Sequence, residues 1–319
     1  MKVTVASISV KSPVLFIIFN RPDTTKRVFD QIRKAKPPRL YVAADGARPN
    51  KPGEEDMCAV TRAIINDIDW ACELKTLFRD ENLGCKEAVS SAIDWFFANE
   101  EEGIILEDDC LPADSFFNFC DTLLEKYRYD TRVRHITGCN LQLGKKWGSG
   151  SYYFSNRTHV WGWAGWRRAW KDYDKDLKKY ESADVAEKLK NIYQDPFVVS
   201  TLKTIFDEVK AGKIDTWDYQ LDFANYFNNG LTIIPNENLI SNIGFGAGAT
   251  HTMDKTSIYA NLPLGRIDEI IDPVYAIPEK EADMVVLTRD FDIVEKRRKH
   301  NKLSRKIKRF FKQQKPANS

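Results

Sequence analysis

The sequence predicts an α/β protein built on a mostly parallel, Rossmann-like sheet flanked by helices, with a smaller subdomain after it. Strand and helix signals alternate through the first 140 residues, and strand, helix, strand repeated four times implies parallel neighbours joined by right-handed crossovers. At 319 residues the chain is long for one domain and short for two large ones. One apolar run, Gly103-Ile104-Ile105-Leu106, ends abruptly in three carboxylates, Glu107, Asp108 and Asp109, followed by Pro112. Such a run reads as a buried strand that delivers charge to the edge of a sheet.

In order, Val14 to Phe19 is a short β-branched and aromatic run. Asn20-Arg21-Pro22-Asp23 turns the chain, and Asp23 is placed to cap a helix running to about Lys34. Leu40 to Ala44 is a second strand ending at Asp45-Gly46, and the polar loop 47–53 with its two prolines reads as mobile. Met57, Val60, Ile64, Ile65 and Ile68 recur at helical spacing. Leu74 to Phe78 forms a third strand and closes on Arg79 to Gly84. Ala88, Val89, Ala92, Ile93, Phe96 and Phe97 then build one apolar helix face, which leads into the strand with the acidic end. Phe116, Phe117, Phe119, Cys120, Leu123 and Leu124 mark another helix, and His135 to Thr137 one more strand.

Beyond Gly138 the pattern changes, and the boundary is placed near 140. Residues 141–180 are rich in Trp, Tyr and Gly without clear periodicity, whereas 184–230 returns to helix with Phe197, Val198, Leu202, Ile205, Phe206 and Val209 on one face. Gly230 to Pro235 resembles a late strand, and Ile243 to His251 reads as a flexible loop by its three glycines. In the final segment Leu303, Ile307, Phe310 and Phe311 lie at helical spacing among basic residues, a basic amphipathic helix suited to an anionic membrane surface.

Composition, with 43% hydrophobic and 12% aromatic residues, is that of a globular protein with a sizeable core. The net charge of +2 hides an asymmetry. Residues 296–319 hold eleven Lys and Arg and no acid, so subtracting those charges leaves −9 on residues 1–295. An acidic body with a basic tail argues against nucleic acid as the main ligand. The six cysteines form no CxxC pair and read as reduced thiols of a cytosolic protein. No signal peptide is expected, because Val14 to Phe19 is only strand-length, and no segment approaches the ~20 apolar residues that span a bilayer.

Three strand ends bring polar groups to one edge: Phe19-Asn20-Arg21, Asp45, and Glu107-Asp108-Asp109. The turn Gly84-Cys85-Lys86 opens a helix whose amino terminus can receive an anion, with Lys86 as a point charge for phosphate. Clustered carboxylates are costly unless compensated, and a hard divalent cation carrying phosphate compensates them simply. The bland alternative is a solvated acidic turn capping a helix that begins near Pro112. Together the strand ends describe a nucleotide site.

With Asn82-Leu83-Gly84 and the run Glu107 to Phe117, the stretch Pro13 to Arg21 resembles the GT-A glycosyltransferases, closest to the N-acetylglucosaminyltransferase I group, over residues 13 to about 251. That resemblance implies a metal-dependent, inverting transferase using a nucleotide sugar, with UDP-sugar favoured. It implies Arg21 on the donor diphosphate or base, Asp45 on the uracil ring, Asp108 near the ribose and Glu107 bonding the donor. Asp109 would ligate Mn²⁺ or Mg²⁺. Residues 1–140 would then be the nucleotide-sugar-binding half, 141–290 the acceptor and catalytic half, and 291–319 the basic tail.

The segment Ile214 to Asp222 resembles the family's Trp-Asp segment and matches Asp218 to the general base, with Asp222 one turn later in reserve. A first-turn carboxylate of a helix capped by Asp215 or Thr216 is the competing reading of Asp218. Trp161, Trp163, Trp166 and Trp170 place four indoles in ten residues; the last two read as core, and Trp161 and Trp163 as walls for a sugar. Asn242 to His251 resembles the family's mobile loop that orders over bound donor, and His251 would reach diphosphate or metal. A glycan or lipid-linked acceptor at the inner membrane face is expected. The rivals are a sugar-nucleotide nucleotidyltransferase, disfavoured because Asn20 to Asp23 contains no glycine to cradle phosphate, and a glycan-binding module without catalysis.

Overall fold

The computed structural model describes residues 10–245 and 257–302. The chain runs β1 (Val14–Ile18), α1 (Pro22–Ala35), β2 (Arg39–Ala44), α2 (Glu54–Arg62) with a 3-10 turn over Ala63–Asp67, β3 (Glu73–Phe78), α3 (Gly84–Asn99) and β4 (Glu102–Glu107). There follow β5 (Cys110–Pro112), α4 (Phe116–Tyr127), β6 (Val133–Thr137), β7 (Tyr152–Ser155), β8 (Trp163–Trp166) and α5 (Arg167–Trp170). The remainder is α6 (Ser182–Leu189), α7 (Pro196–Lys210), α8 (Asp218–Phe227), β9 (Leu231–Pro235), β10 (Ile240–Asn242) and α9 (Lys280–Asp290). Residues 293–302 are also helical.

Among the described residues the strands form a mostly parallel Rossmann-like sheet in the order β3-β2-β1-β4-β8-β6-β9-β7, with β10 and β5 as a separate antiparallel pair. β8 runs antiparallel to both β4 and β6, and β7 antiparallel to β9, so the mostly parallel sheet that the sequence predicts carries its antiparallel strands after residue 140. Strands from both sides of residue 140 share it.

The apolar runs are continuous because both faces of the sheet are covered. Val14, Phe16 and Ile18 with Leu40, Val42, Ala44, Ile104 and Leu106 pack under α1 and α4. Leu15, Tyr41, Ala43 and Ile105 point the other way, onto Val89, Ala92, Ile93, Phe96 and Phe97 of α3. Each such side chain contributes about 1.5–3 kcal/mol by leaving water. α6, α7 and α8 enclose a further cluster around Leu202, Phe206 and Tyr226. α7 starts where Asp195 accepts the Phe197 N–H at 2.9 Å and Pro196 sets the first helical φ.

Three local expectations change. Arg21, not Asp23, is the N-cap of α1, and it makes no side-chain cap bond; Pro22 opens the helix and Asp23 lies in its first turn. The periodic run 57–68 divides into α2 and the 3-10 turn. The acidic trio does not cap a helix near Pro112: Cys110–Pro112 pairs with β10, and α4 begins at Phe116.

Candidate active site

β2, β1 and β4 are adjacent and parallel, so their carboxyl ends lie side by side. The chain winds from β1 toward β2 on one side, while β4 lies on the other, and a crevice opens where the strand order reverses. There the Phe19 N–H donates to Asp108 Oδ2 at 3.1 Å, joining the two strand ends. A cavity of about 400 Å³ occupies the crevice. Its wall brings together Phe19, Arg21, Asp45, Gly84, Glu107, Asp108, Asp109, Trp161 and Asp218.

The charge of this wall is unbalanced. Six carboxylates, Asp45, Glu107, Asp108, Asp109, Asp215 and Asp218, face three guanidinium groups, Arg21, Arg48 and Arg79. Arg21 Nη1 donates to Asp109 Oδ2 at 2.8 Å and lies 3.7 Å from Asp108 Oδ1. Burial, and then the charges of Asp109, Asp108 and Asp218, hold Glu107 well above the usual carboxylate range. Burial and the Asp109 charge raise Asp108 too, against the opposing pull of Arg21 and the Phe19 amide. Glu54 accepts from the Arg48 backbone and side chain and, at 2.8 Å, from Asn20 Nδ2, which ties the loop that follows β2 to α2; the Arg48 hydrogen bond holds the Glu54 carboxyl below the usual range.

Asp45 and Asp215 fill the amino end of α3. Asp45 accepts the Leu83 N–H at 3.0 Å, the Gly84 N–H at 3.1 Å and Asn82 Nδ2 at 2.9 Å, while Asp215 Oδ1 accepts the Lys86 N–H at 3.3 Å. Gly84 has φ +79, a conformation glycine reaches without strain. These amides are therefore bonded to the chain's own carboxylates, where the sequence reading expects them to meet an anion. Burial of Asp45 raises its pKa, and the backbone N–H groups offset part of that rise.

The second half of the chain supplies the opposite wall. Asp218 is the first residue of α8, after the N-cap Trp217. Its Oδ1 accepts the Thr216 hydroxyl and, at 2.9 Å, the Tyr219 N–H. Both bonds fall on one oxygen, Oδ1. β10 closes the acidic trio from behind, since the Ile243 N–H donates to the Asp109 carbonyl at 2.8 Å. Gly244 lies against the Asp109 side chain so tightly that a Cβ there would sit 2.1 Å from Oδ2.

Several expected site residues lie elsewhere. Trp163 is 3% exposed and stacks on His135 at 5.0 Å, because within β8 it faces α3 rather than the cavity. Lys86 Nζ bonds Asp176 at 3.0 Å, outside the cavity lining. Asn20 is not in the lining and is held by Glu54. Asp222 is buried and accepts the Thr158 N–H and hydroxyl at 2.9 and 2.7 Å, so it is no reserve base for a substrate in the cavity. His251 falls outside the described residues. The structure adds Arg48, Arg79, Asn82, Asp215 and Asn242 to the wall. Arg79 and Asn82 carried the same strand-end signal as Asp45; Arg48, in a proline-containing loop, carried none.

The oxygen-rich wall fits a hard divalent cation. Among the described residues no group of three or more His, Cys, Asp or Glu is placed to hold a metal. One or two carboxylates with phosphate oxygens completing the shell is the arrangement Mg²⁺ takes at phosphate sites. Asp109, in the cavity lining, would supply such a carboxylate.

No family model matches this chain, and no curated protein matches it. Solved structures similar to it include a UDP-glucose pyrophosphorylase complexed with UDP-glucose, at 11% identity over 70% of this chain and 90% of that one, with a TM-score of 0.39. HddC from Yersinia pseudotuberculosis is 10% identical over 51% of this chain and 80% of its own, with a TM-score of 0.31, and its complex with GMP-PN gives 0.30.

Proposed function

We propose that the chain is a glycosyltransferase that moves a sugar from a nucleoside-diphosphate donor, UDP-sugar favoured, to a hydroxyl of a glycan or lipid-linked acceptor, with inversion. The observation that carries this reading is the meeting of two carboxylate groups in one cavity: the acidic trio at the end of β4 and Asp218, at the start of α8, on the opposite wall. Donor binding needs the first; deprotonating an acceptor needs the second. Arg21 and the trio hold the diphosphate end, Asp218 Oδ2 takes the acceptor proton, and the enclosing wall keeps water from the donor. A bound Mn²⁺ or Mg²⁺ on Asp109 would neutralise the charge that develops on the leaving diphosphate.

A sugar-nucleotide nucleotidyltransferase uses similar ligands and is the rival. Residues 20–23 contain no glycine, and α1 opens at Pro22 without a phosphate-cradling loop, which favours the transferase. The rival predicts pyrophosphate release from a nucleoside triphosphate and a sugar 1-phosphate; the transferase predicts UDP release from a UDP-sugar. Asp218→Asn should lower turnover by about 10²–10⁴ while leaving donor affinity unchanged. Unchanged turnover would remove Asp218 from the chemistry, and turnover absent in the wild type would favour a glycan-binding module.

No described helix is long and apolar enough to cross a membrane. The basic run from Lys296 supports a peripheral contact with an anionic surface. Residues 296–302 are exposed and helical, and Leu303, Ile307, Phe310 and Phe311 lie outside the described residues. Sedimentation with phosphatidylglycerol vesicles should retain the chain at low salt and release it as ionic strength rises. Retention unaffected by salt, or none at all, would contradict that contact.

A further inference from the structure

The carboxyl end of α9 reaches the cavity wall through side chains that the proposed reaction does not use. Asp290 Oδ1 accepts the Tyr259 hydroxyl at 2.7 Å. Arg289 Nη1 donates to that same hydroxyl oxygen at 3.1 Å and to the Leu141 carbonyl at 2.8 Å. The Tyr259 ring then meets Trp161 edge-on at 6.5 Å, and Phe245 meets Trp161 edge-on at 5.8 Å. Trp161 lines the cavity.

The same helix end also reaches the base helix. Buried Arg157 lies 4.0 Å from Asp290 Oδ2 and 3.7 Å from Asp222 Oδ2, and Asp222 sits one turn after Asp218 on α8. Among the described residues its Nε and Nη1 have no hydrogen-bond partner, so charge holds these contacts. Thus Asp290 is tied both to Tyr259, which meets Trp161, and to Arg157, which faces the helix that carries Asp218.

Trp161 is half-buried, and the apolar cluster of Cys139, Leu141 and Val286 supports it from one side. An indole left free to rotate must be ordered when a ligand arrives, which weakens binding; holding the ring beforehand removes that cost. The Tyr259 hydroxyl contributes nothing to the cavity directly. Its bonds to Asp290 and Arg289 fix the ring on which Trp161 leans.

We propose that Tyr259, Arg289 and Asp290 form a positioning clasp that holds Trp161 as the sugar-side wall of the cavity. The sugar-wall assignment rests on the nucleotide-sugar reading above, whereas the clasp itself is a statement about geometry.

Labelling the full chain with 5-fluorotryptophan separates the two. Comparison with Trp161→Phe assigns the Trp161 fluorine resonance. In Tyr259→Phe and Asp290→Asn that resonance should shift or broaden while the other indoles stay in place. Tyr259→Phe removes a single oxygen and keeps the ring, so it remains informative if Asp290→Asn fails to fold. Calorimetry with MnCl₂ and either UDP, UDP-glucose or UDP-N-acetylglucosamine provides the second arm. UDP affinity should stay within about twofold in Tyr259→Phe, and affinity for the UDP-sugar that the wild type prefers should fall about five- to tenfold.

An unmoved Trp161 resonance in a folded Tyr259→Phe variant overturns the clasp. Equal weakening of UDP and UDP-sugar overturns the sugar-wall assignment. Failure of the wild type to bind any of the three ligands overturns that assignment together with the functional reading, and the fluorine spectra then decide the clasp alone.

Discussion

Single residues set the character of the cavity by what surrounds them. Gly244 is one case, because its α-carbon lies against the Asp109 carboxylate and a Cβ would approach Oδ2 to 2.1 Å. Gly244→Ala should cost about 1–3 kcal/mol through overpacking and should weaken nucleotide binding by displacing Asp109. Denaturant unfolding beside a nucleotide titration checks both; an unperturbed variant would mean that the loop yields freely. Away from the cavity, His135 is also governed by its surroundings. Burial holds its pKa down at about 4, and its Nε2 lies 3.0 Å from the His159 carbonyl. Between about pH 4 and 6.5 the unfolded chain therefore binds a proton that the folded chain refuses, so stability rises with pH across that window and is lost as pH falls. The slope is about 1.4 kcal/mol per pH unit for this group. His135→Phe keeps a ring against Trp163 and should melt with a flatter pH dependence; parallel curves for the two proteins would contradict a neutral His135. The sequence marked Asp109 and Asp218 as strand-end and helix-start carboxylates. It could not separate Trp161 from Trp163, because the face each indole takes depends on where β8 begins.

At the scale of elements, the join between β2 and α3 holds one side of the cavity in shape. Asp45 receives two backbone amides and one side-chain amide from residues 82–84. Asp45→Ala leaves those donors without their acceptor and should destabilise the protein by about 2–4 kcal/mol, with protection of the first turn of α3 lost before that of β1. Hydrogen exchange of the Leu83 and Gly84 amides is the direct check; exchange unchanged in the variant would show that the carboxylate does not hold them. These partners lie 37 to 39 positions away in the chain, which is why the sequence presented Asp45 as a free ligand group. β1, β2 and β4 were legible because each is an apolar run bounded by turn residues and covered on both faces, and β3, exposed or half-exposed along its length at the sheet edge, and β6 were legible from short β-prone runs at the expected place in the alternation. β7 and β8 were not. Tyr152-Tyr153-Phe154-Ser155 and Trp163-Ala164-Gly165-Trp166 are four-residue runs without clean alternation in a stretch dense in Trp, Tyr and Gly, and the insertion of β8 between β4 and β6 is decided by long-range pairing.

For the whole molecule, the sheet brings the acidic edge of β4 and the Asp218 carboxylate to one crevice although they stand over a hundred positions apart in sequence. The alternating first half was sufficient to expect the crevice, since reversal of strand order at parallel carboxyl ends creates it. The far wall was legible only as isolated motifs, because its placement depends on α8 and β10 packing back over β4. The central claim is that this crevice binds a nucleoside diphosphate through a divalent cation. Calorimetric titration with UDP, GDP and CMP, with and without Mn²⁺, on the wild type and Asp109→Ala tests it most directly. The account predicts manganese-dependent binding of one nucleotide, UDP favoured, weakened about 100-fold in the variant. Absence of binding for every nucleotide, or binding indifferent to both manganese and Asp109, would contradict it.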